Sequence, residues 1–415
     1  MRFSVGVNYW PRSSALAMWR RFDAGEIRED FARIAGLGLD TVRFFARWDD
    51  FQPRADAVDP SMLDRLATVV DAAAAAGLQT IPTLFTGHVG GDAWVPAWAY
   101  EPKTPRRVGN IYAGRLLDAQ LFFAREVGTR LREHPAVRAW DIGHAFSDVR
   151  APARGKISTG DHGSVPAAER EVAEWSRRLT AELAGSSALP VTAGTHSGDL
   201  ENDREIRLGS LCAPFAFASM QGSSVVSRFA RNRLDPEVVP FLAMLAAAFS
   251  FKPVFVTGFG NPTCPPEKFS ALERFPFPGE RTELTISPDD TVFATYPCSS
   301  EHENAAYCTA VLERLHADGR LGALWWCWAD YDEHVHDEPP FDRAPHERTY
   351  GIVRSDGSEK PVAAALAAFA AQRRSVVKAN DMPMISSTYF YRTLPTSAKT
   401  LYDAFLGFVR ERRND

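Results

Sequence analysis

Ala139-Trp140-Asp141-Ile142-Gly143-His144-Ala145-Phe146-Ser147-Asp148 is the stretch that decides how this chain folds. Its pattern is that of a short buried strand that ends in a polar loop. In a barrel of alternating strands and helices, catalytic side chains lie at this end of a strand. The residue expected to project into the pocket is Ala145, which can neither donate nor accept a proton. The stretch therefore predicts where a site lies but leaves its chemistry open.

Seven other segments show strand patterns, and helical segments separate them. With the opening stretch as strand four, the predicted strands are Val5–Trp10, Asp40–Phe45, Leu78–Phe85, Pro190–Gly194, Phe215–Met220, Pro253–Thr257 and Gly322–Trp328. The predicted helices are Glu26–Ala35, Ser61–Ala76, Ile111–Glu133, Pro166–Leu183, Pro236–Phe249, Glu301–His316 and Lys360–Gln372. This alternation favours an α/β fold of the (β/α)8 TIM barrel type over an open doubly wound sheet. No glycine-rich phosphate turn follows strand one, which argues against a dinucleotide-binding fold.

The chain is predicted to form a single barrel domain with a helical extension. We assign residues 1–372 to the barrel and residues 373–415 to a C-terminal extension packed on it, with a helix from about Ser397 to Arg412. No linker marks a second domain.

Composition narrows the classes of partner and compartment. The net charge of -5 gives no reason to expect nucleic acid or an anionic membrane as a partner. No apolar run is long enough to span a membrane, and a strand begins at Phe3, so we expect no signal peptide. The five cysteines form no Cys-x-x-Cys pair, which predicts neither a zinc site nor a disulfide framework. We therefore expect a cytoplasmic, reducing setting and no cofactor or metal.

Four strand ends together carry a family resemblance. They are Arg43, Trp140-Asp141-Ile142-Gly143, Lys252-Pro253-Val254-Phe255-Val256-Thr257 and Trp325-Trp326-Cys327-Trp328. Over about residues 3 to 372 the chain resembles glycoside hydrolase clan A, closest to the family 5 cellulases and mannanases. The resemblance implies a sugar site at the C-terminal face of the barrel. In that clan, strand four continues as Asn-Glu, with Glu as the acid/base, and strand seven continues as Glu-Phe-Gly, with Glu as the nucleophile.

The chain departs from the clan at both catalytic positions. It has His144-Ala145 in place of Asn-Glu, and Gly258 in place of the nucleophile. Strand six, which in family 5 offers His-x-Tyr, here offers Gln221-Gly222-Ser223. Retaining hydrolysis needs two carboxyl groups about 5 Å apart, so we expect no ordinary hydrolysis and assign no catalytic role to Ala145 or Gly258.

Three residues are candidate substitutes, namely His144, Asp148 and Asp330. The simpler interpretation makes His144 a neutral filler and each Asp a cap or a loop anchor. The predicted substrate-binding residues are Arg43, His88, Trp94, His144, His196, Gln221, Trp325, Trp328 and Asp330. Trp326 is expected to face the opposite side from Trp325 and Trp328, as packing. The pair His334 and His336 is interpreted as part of a solvated acidic loop.

Three functions remain open from the sequence. The first is a sugar-binding protein that has lost hydrolysis, with a carbohydrate or glycoside-like small molecule as its partner. The second is an engineered variant, inactivated or of glycosynthase type, which glutamate codons at positions 145 and 258 of the source gene would establish. The third is a repurposed enzyme that uses His144, Asp148 or Asp330 for different chemistry. The sequence predicts no oligomeric state.

Overall fold

Eight parallel strands close into a barrel in chain order. The computed structural model describes residues 1–90, 92–102, 104–149, 169–264, 284–286, 292–294, 298–379, 381–382 and 385–414. The barrel strands are Ser4–Asn8 (β1), Thr41–Phe45 (β2), Gln79–Thr83 (β3), Trp140–His144 (β4), Val191–His196 (β5), Ala218–Gln221 (β6), Val254–Phe259 (β7) and Gly322–Trp325 (β8). The (β/α)8 TIM barrel predicted from the sequence is confirmed.

Helices cover the outside of the barrel. They are Ala24–Gly36 (α1), Pro60–Ala75 (α2), Gly114–Arg130 (α3), Glu169–Ser186 (α4), Val238–Ser250 (α5), Glu301–Ala317 (α6) and Pro361–Ala371 (α7). Short α-helices occupy Trp48–Phe51, Gly198–Glu201 and Leu208–Leu211. The predicted start of the fourth helix, Pro166, lies outside the described residues. Within the described part of the chain, no helix is long and apolar enough to cross a membrane.

The loops carry small sheets that the sequence did not predict. Each is a two-stranded antiparallel pair. The pairs are His88–Val89 with Asp92–Ala93, Tyr100–Glu101 with Thr104–Val108, and Leu284–Ile286 with Val292–Ala294. The first two lie between β3 and α3, so this loop adds structure above the C-terminal ends of the strands.

The strands approach each other closely inside the barrel. A Cβ at Gly6 would lie 1.8 Å from the carbonyl oxygen of Thr41, so only glycine fits there. Ile81, Phe255 and Leu324 form a small buried cluster. The barrel interior is therefore a packed core. Side chains that are free to form a site are expected at its rim.

Beyond the barrel, Ser387–Arg392 (α8) and Thr396–Asn414 (α9) extend the chain. Tyr402 on α9 is fully buried and donates a hydrogen bond from its hydroxyl to Asp235, at 2.6 Å. Its ring packs against Phe229 and Phe241, with centroids 4.9 and 5.1 Å away. These contacts attach α9 to α5 and to the segment before it.

A disulfide joins Cys264 and Cys298, which corrects the expectation that the chain has none. The two residues are 34 positions apart, and their Cα atoms lie 5.1 Å apart. No local spacing pattern marks such a pair, because the fold alone brings the two segments together. Cys212, Cys308 and Cys327 are free and buried. Since disulfides persist in oxidising compartments, this finding counts against the reducing setting expected from composition.

Removing this disulfide is expected to lower the free energy of unfolding by about 2–4 kcal/mol, because the closed loop restricts the unfolded chain. Thermal unfolding of the unchanged protein with and without a reductant measures the effect. The Cys264→Ser/Cys298→Ser double variant is the matched control and should not respond to reductant. Peptide mapping that finds both thiols free, with a melting temperature indifferent to reductant, would contradict the prediction.

Candidate functional site

A fully buried ion pair lies at the centre of the C-terminal face. Arg43, on β2, donates from Nε (2.9 Å) and Nη2 (2.6 Å) to Oδ2 of Asp141, on β4, and both side chains are inaccessible to solvent. The other oxygen of Asp141 accepts the backbone N–H groups of Gly143 and Gly194, each at 3.0 Å. Asp141 is therefore saturated with donors and serves to hold Arg43, which leaves it no oxygen for a ligand.

Gly194 makes room for this pair. A Cβ there would lie 3.0 Å from Nη2 of Arg43 and 2.6 Å from the carbonyl oxygen of Gly143. The glycine on β5 thus lets the guanidinium reach across the barrel to β4.

Arg43 also fixes the state of His144. Its Nη1 donates to Oδ1 of Asn8 (3.1 Å) and lies 3.3 Å from Nδ1 of His144. Because arginine can only donate, Nδ1 is the acceptor and the ring hydrogen is on Nε2. Burial, and then the charge of Arg43, hold the pKa of His144 well below its usual range. His144 is therefore a neutral imidazole.

The ring of His144 lies in an aromatic stack. It is parallel to Trp326, with centroids 5.2 Å apart and planes 7° apart. Phe45 meets the imidazole edge-on at 5.0 Å, and Trp10 stacks on Phe45 at 4.9 Å. Trp10 and Phe45 are buried, whereas Trp326 is only partly buried. Trp326, the first residue after β8, thus lies beside the site, whereas strand alternation had predicted that it faces away from it.

The expected roles of Trp325 and Trp328 are wrong. Both are fully buried. Trp325 donates from Nε1 to the carbonyl of Tyr350 (2.9 Å), and Trp328 lies under the guanidinium of Arg33, on α1, at 5.4 Å. The reason is that β8 ends at Trp325, so strand alternation does not extend to the residues that follow. Neither ring is available to stack on a sugar.

Ala145 and Gly258, the two positions at which the sequence departs from the clan pattern, differ in their surroundings. Ala145 has left-handed backbone angles (φ 48°, ψ 35°) and starts the short 3-10 helix Phe146–Asp148. Its methyl group is nearly buried. Gly258 lies within β7, in register with Gln221 on β6. A Cβ added to Gly258 would be 3.4 Å from Cβ and 3.5 Å from Oε1 of Gln221.

A second polar cluster lies beyond Ala145. The carboxylate of Asp148 forms an ion pair with Arg204 and lies 3.0 Å from Nε2 of His196. Burial alone would raise the pKa of Asp148, but His196 and Arg204 together hold it well below its usual range. Asp148 is therefore a carboxylate at ordinary pH and cannot act as a proton donor.

His196 is engaged at both of its ring nitrogens. The N–H of Gly198 donates to Nδ1 (3.1 Å), and Nε2 lies 3.0 Å from Oδ2 of Asp148, from Oγ of Ser147 and from Nη1 of Arg204. Burial lowers the pKa of His196, but Asp199 and Asp148 outweigh it and raise the pKa above its usual value. Ser147 donates to Asp199 at 2.6 Å. The cluster ties the loop after β4 to the loop after β5.

Asp330 is a structural residue, which corrects its candidacy for catalysis and binding. Its carboxylate pairs with the buried Lys360 at 2.7 Å and accepts the N–H of Gly351 at 2.9 Å. Lys360 also donates to Thr263 and to the carbonyl of Thr349. Burial raises the pKa of Asp330 despite Lys360. All of these contacts anchor loops, so the interpretation of Asp330 as a loop anchor describes it better.

The remaining predicted residues lie at the rim of the C-terminal face of the barrel. His88 and Trp94 are partly exposed in the loop after β3. Trp94 donates from Nε1 to the carbonyl of Val89 (3.2 Å), and the guanidinium of Arg47 lies 4.1 Å from the centre of its ring. Together with Trp326, His196 and Gln221 they provide the partly exposed surface of the face. In the described part of the chain, no three His, Cys, Asp or Glu side chains are grouped to hold a metal.

Sequence reasoning missed Asn8, Trp326 and Arg204. Asn8 is buried at the end of β1, where a polar residue in an otherwise apolar strand could have marked it. Strand alternation predicted that Trp326 faces the side opposite to Trp325 and Trp328, so it was not expected at the site. Arg204 lies 56 positions from Asp148, and no sequence signal links the two.

Several solved structures share this fold. An exo-β-1,4-mannosidase from Opitutaceae bacterium strain TAV5 is 24% identical, with a TM-score of 0.70, and covers 89% of this chain. A Glu-to-Ala variant of GH5_18 from Streptomyces cattleya, in complex with Manβ1-4GlcNAc, is 19% identical, with a TM-score of 0.75, over 99% of this chain and 92% of that one. GH5_18 from Bifidobacterium longum subsp. longum is 20% identical, with a TM-score of 0.72, over 92% of this chain and 81% of its own.

These likenesses lie below 25% identity and establish the fold alone. This chain spans 60% of the length of the mannosidase. No protein-family model matches the sequence, and no curated protein matches it.

Proposed function

We propose that this protein is a glycoside hydrolase family 5-like barrel that binds a carbohydrate at the C-terminal face of its strands and does not hydrolyse it. The observation that carries the proposal is that the buried polar network of the site is present, whereas the two positions where the resemblance implies catalytic glutamates carry no carboxyl group. Arg43, Asn8 and Asp141 form a saturated buried network, while Ala145 and Gly258 supply no carboxyl group at the ends of strands four and seven.

The nearby carboxylates do not substitute for the missing pair. Asp141 is bound to Arg43, Asp148 to Arg204 and His196, and Asp330 to Lys360. Retaining hydrolysis needs one free carboxylate to attack and one protonated group to donate, about 5 Å apart. Each of these three aspartates has an ion-pair partner, so none of the three fills either role.

The rim supports binding. Trp326 offers an aromatic ring beside His144, and ring faces suit the C–H faces of a pyranose. Gln221, His88 and His196 add polar groups that are partly exposed. Sites that bind small molecules combine apolar walls with a few oriented polar groups in this way.

A second candidate function is proton-transfer chemistry in a repurposed site. The observation that favours it is the partly exposed His196, whose pKa Asp199 and Asp148 raise. Against it, Gly198 occupies Nδ1 of His196 and Asp148 faces Nε2. Because both nitrogens are engaged within the described residues, we rank this function below binding.

Calorimetric titration with Manβ1-4GlcNAc, the disaccharide bound by one structural neighbour, tests the proposal. We expect saturable binding, and about tenfold weaker binding for Trp326→Ala, since an aromatic contact is worth about 1 kcal/mol beyond its buried area. Phe251→Ala is the matched control, because that ring is 87% exposed where α5 ends and the chain enters β7, at the opposite end of the barrel. Its affinity should equal that of the unchanged protein. An absence of saturable heat with this disaccharide and with other neutral β-linked sugars would overturn the proposal.

A further inference from the structure

The side chain of Gln221 lies beside Gly258. The two residues are in register on neighbouring strands, and the N–H of Gly222 donates to the carbonyl of Gly258 at 3.0 Å. A Cβ on Gly258 would lie 3.4 Å from Cβ of Gln221, 3.5 Å from its Oε1, and 3.7 Å from Nδ2 of Asn8. Side chains at the two positions therefore point to the same side, and the Gln221 amide already reaches over the glycine.

The Gln221 amide has no fixed protein partner in the parts of the chain that the structure describes. The backbone carbonyl of Gln221 accepts the N–H of Ser197 (3.1 Å), and none of the side-chain hydrogen bonds among those residues involves its amide. Gln221 is also only partly buried. An amide offers two donors and an acceptor, so this group is available to a ligand.

The surroundings of Gln221 carry little uncompensated charge. Asn8 is neutral, and Arg43 is neutralised by Asp141. His144 is neutral, and its Nε2–H makes no hydrogen bond to another described residue. On its other side, Gln221 is in register with His196 on the neighbouring strand β5, and His196 faces Asp148. A site of neutral donors and acceptors suits hydroxyl groups better than a phosphate, a carboxylate or an ammonium group, whose desolvation it would not compensate.

We propose that Gln221 takes the position vacated at Gly258 and is the residue that selects an uncharged sugar, by bonding a ligand hydroxyl through its amide. The amide matches a glutamate side chain in shape but can neither attack nor ionise. Gln221 therefore provides a polar contact beside the end of β7. Its amide cannot act as the nucleophile that the family resemblance implies at Gly258. This inference rests on the proposed binding function and adds the residue and the ligand class.

Titration of Gln221→Ala and Gln221→Glu with Manβ1-4GlcNAc between pH 4 and 8 tests the inference. We expect Gln221→Ala to bind about tenfold more weakly at every pH, as for one lost hydrogen bond. Because the amide N–H is expected to donate to the hydroxyl oxygen, Gln221→Glu should bind as weakly near pH 8, where the carboxylate can only accept, and should recover towards pH 4, where the protonated acid donates again. Gln79→Glu, at the N-terminal end of β3, is the matched control, since it makes the same change on a barrel strand but at the other end.

The outcomes separate this inference from the proposed function. His196 titrates in the unchanged protein and in Gln221→Ala as well, so a pH profile found only in Gln221→Glu depends on the new carboxyl group at residue 221. If the unchanged protein binds the disaccharide and both Gln221 variants bind it equally well at all pH values, the inference is overturned and the binding function stands. If the unchanged protein binds no neutral sugar, both are overturned. Circular dichroism and melting temperature verify that each variant is folded.

Discussion

Arg43→Met is expected to lower the free energy of unfolding by about 3–5 kcal/mol, because it leaves the carboxylate of Asp141 buried without its cation. Both side chains of this pair are fully inaccessible, so water cannot replace the lost partner. The same change releases the acceptors Asn8 and His144 from Arg43. Denaturant unfolding followed by circular dichroism measures the loss.

A double-mutant cycle identifies the cause. Asp141→Asn in the Arg43→Met background removes the buried charge, and we expect it to recover part of the lost stability. The exposed pair Arg177 and Glu174 provides the control, since Arg177→Met should cause no measurable loss. A loss below about 1 kcal/mol for Arg43→Met would show that the framework of the site does not depend on this pair.

The unchanged protein is expected to hydrolyse an aryl β-mannoside at least about 10⁴-fold more slowly than an active retaining glycosidase, since Ala145 and Gly258 carry no carboxyl group at the two positions where the family resemblance implies catalytic glutamates. The double variant Ala145→Glu/Gly258→Glu should recover only weak activity. At Gly258, a new side chain meets Gln221 at 3.4 Å and must share its space. At Ala145, the backbone is left-handed. A displacement of about 1 Å in a reacting group costs about a hundredfold in rate.

The exo-β-1,4-mannosidase that shares the fold, assayed in parallel, provides the reference rate. A second comparison is the triple variant that adds Gln221→Ala, which frees the space beside position 258 and should be more active than the double variant. A double variant within about tenfold of the reference would show that the site has not drifted and that its geometry still suits hydrolysis.

The barrel could be predicted because its signals are local. Most strands are short apolar runs followed by a turn and a helix, and the strand predicted over Pro253–Thr257 is found at Val254–Phe259. The ends of elements were less well predicted. Strand eight was expected to reach Trp328 but ends at Trp325, so the residues after it do not alternate as a strand would.

The parts that could not be predicted depend on contacts between distant residues. Asp330 was a candidate acid because no sequence signal links it to its partner Lys360, which lies 30 positions further along the chain. Cys264 and Cys298 were treated as free because no spacing rule pairs them. The departures from the clan pattern at Ala145 and Gly258 could be seen in the sequence, but the closeness of Gln221 to Gly258 follows from the register of β6 and β7 alone.

Proton NMR of Manβ1-4GlcNAc mixed with the unchanged protein tests the central claim most directly, because one sample reports binding and hydrolysis together. We predict saturation transfer from the protein to the sugar protons, with the anomeric signals of the disaccharide unchanged over a day. Free mannose that accumulates above a protein-free control would contradict the loss of hydrolysis, and an absence of transfer for this and other neutral sugars would contradict the binding site.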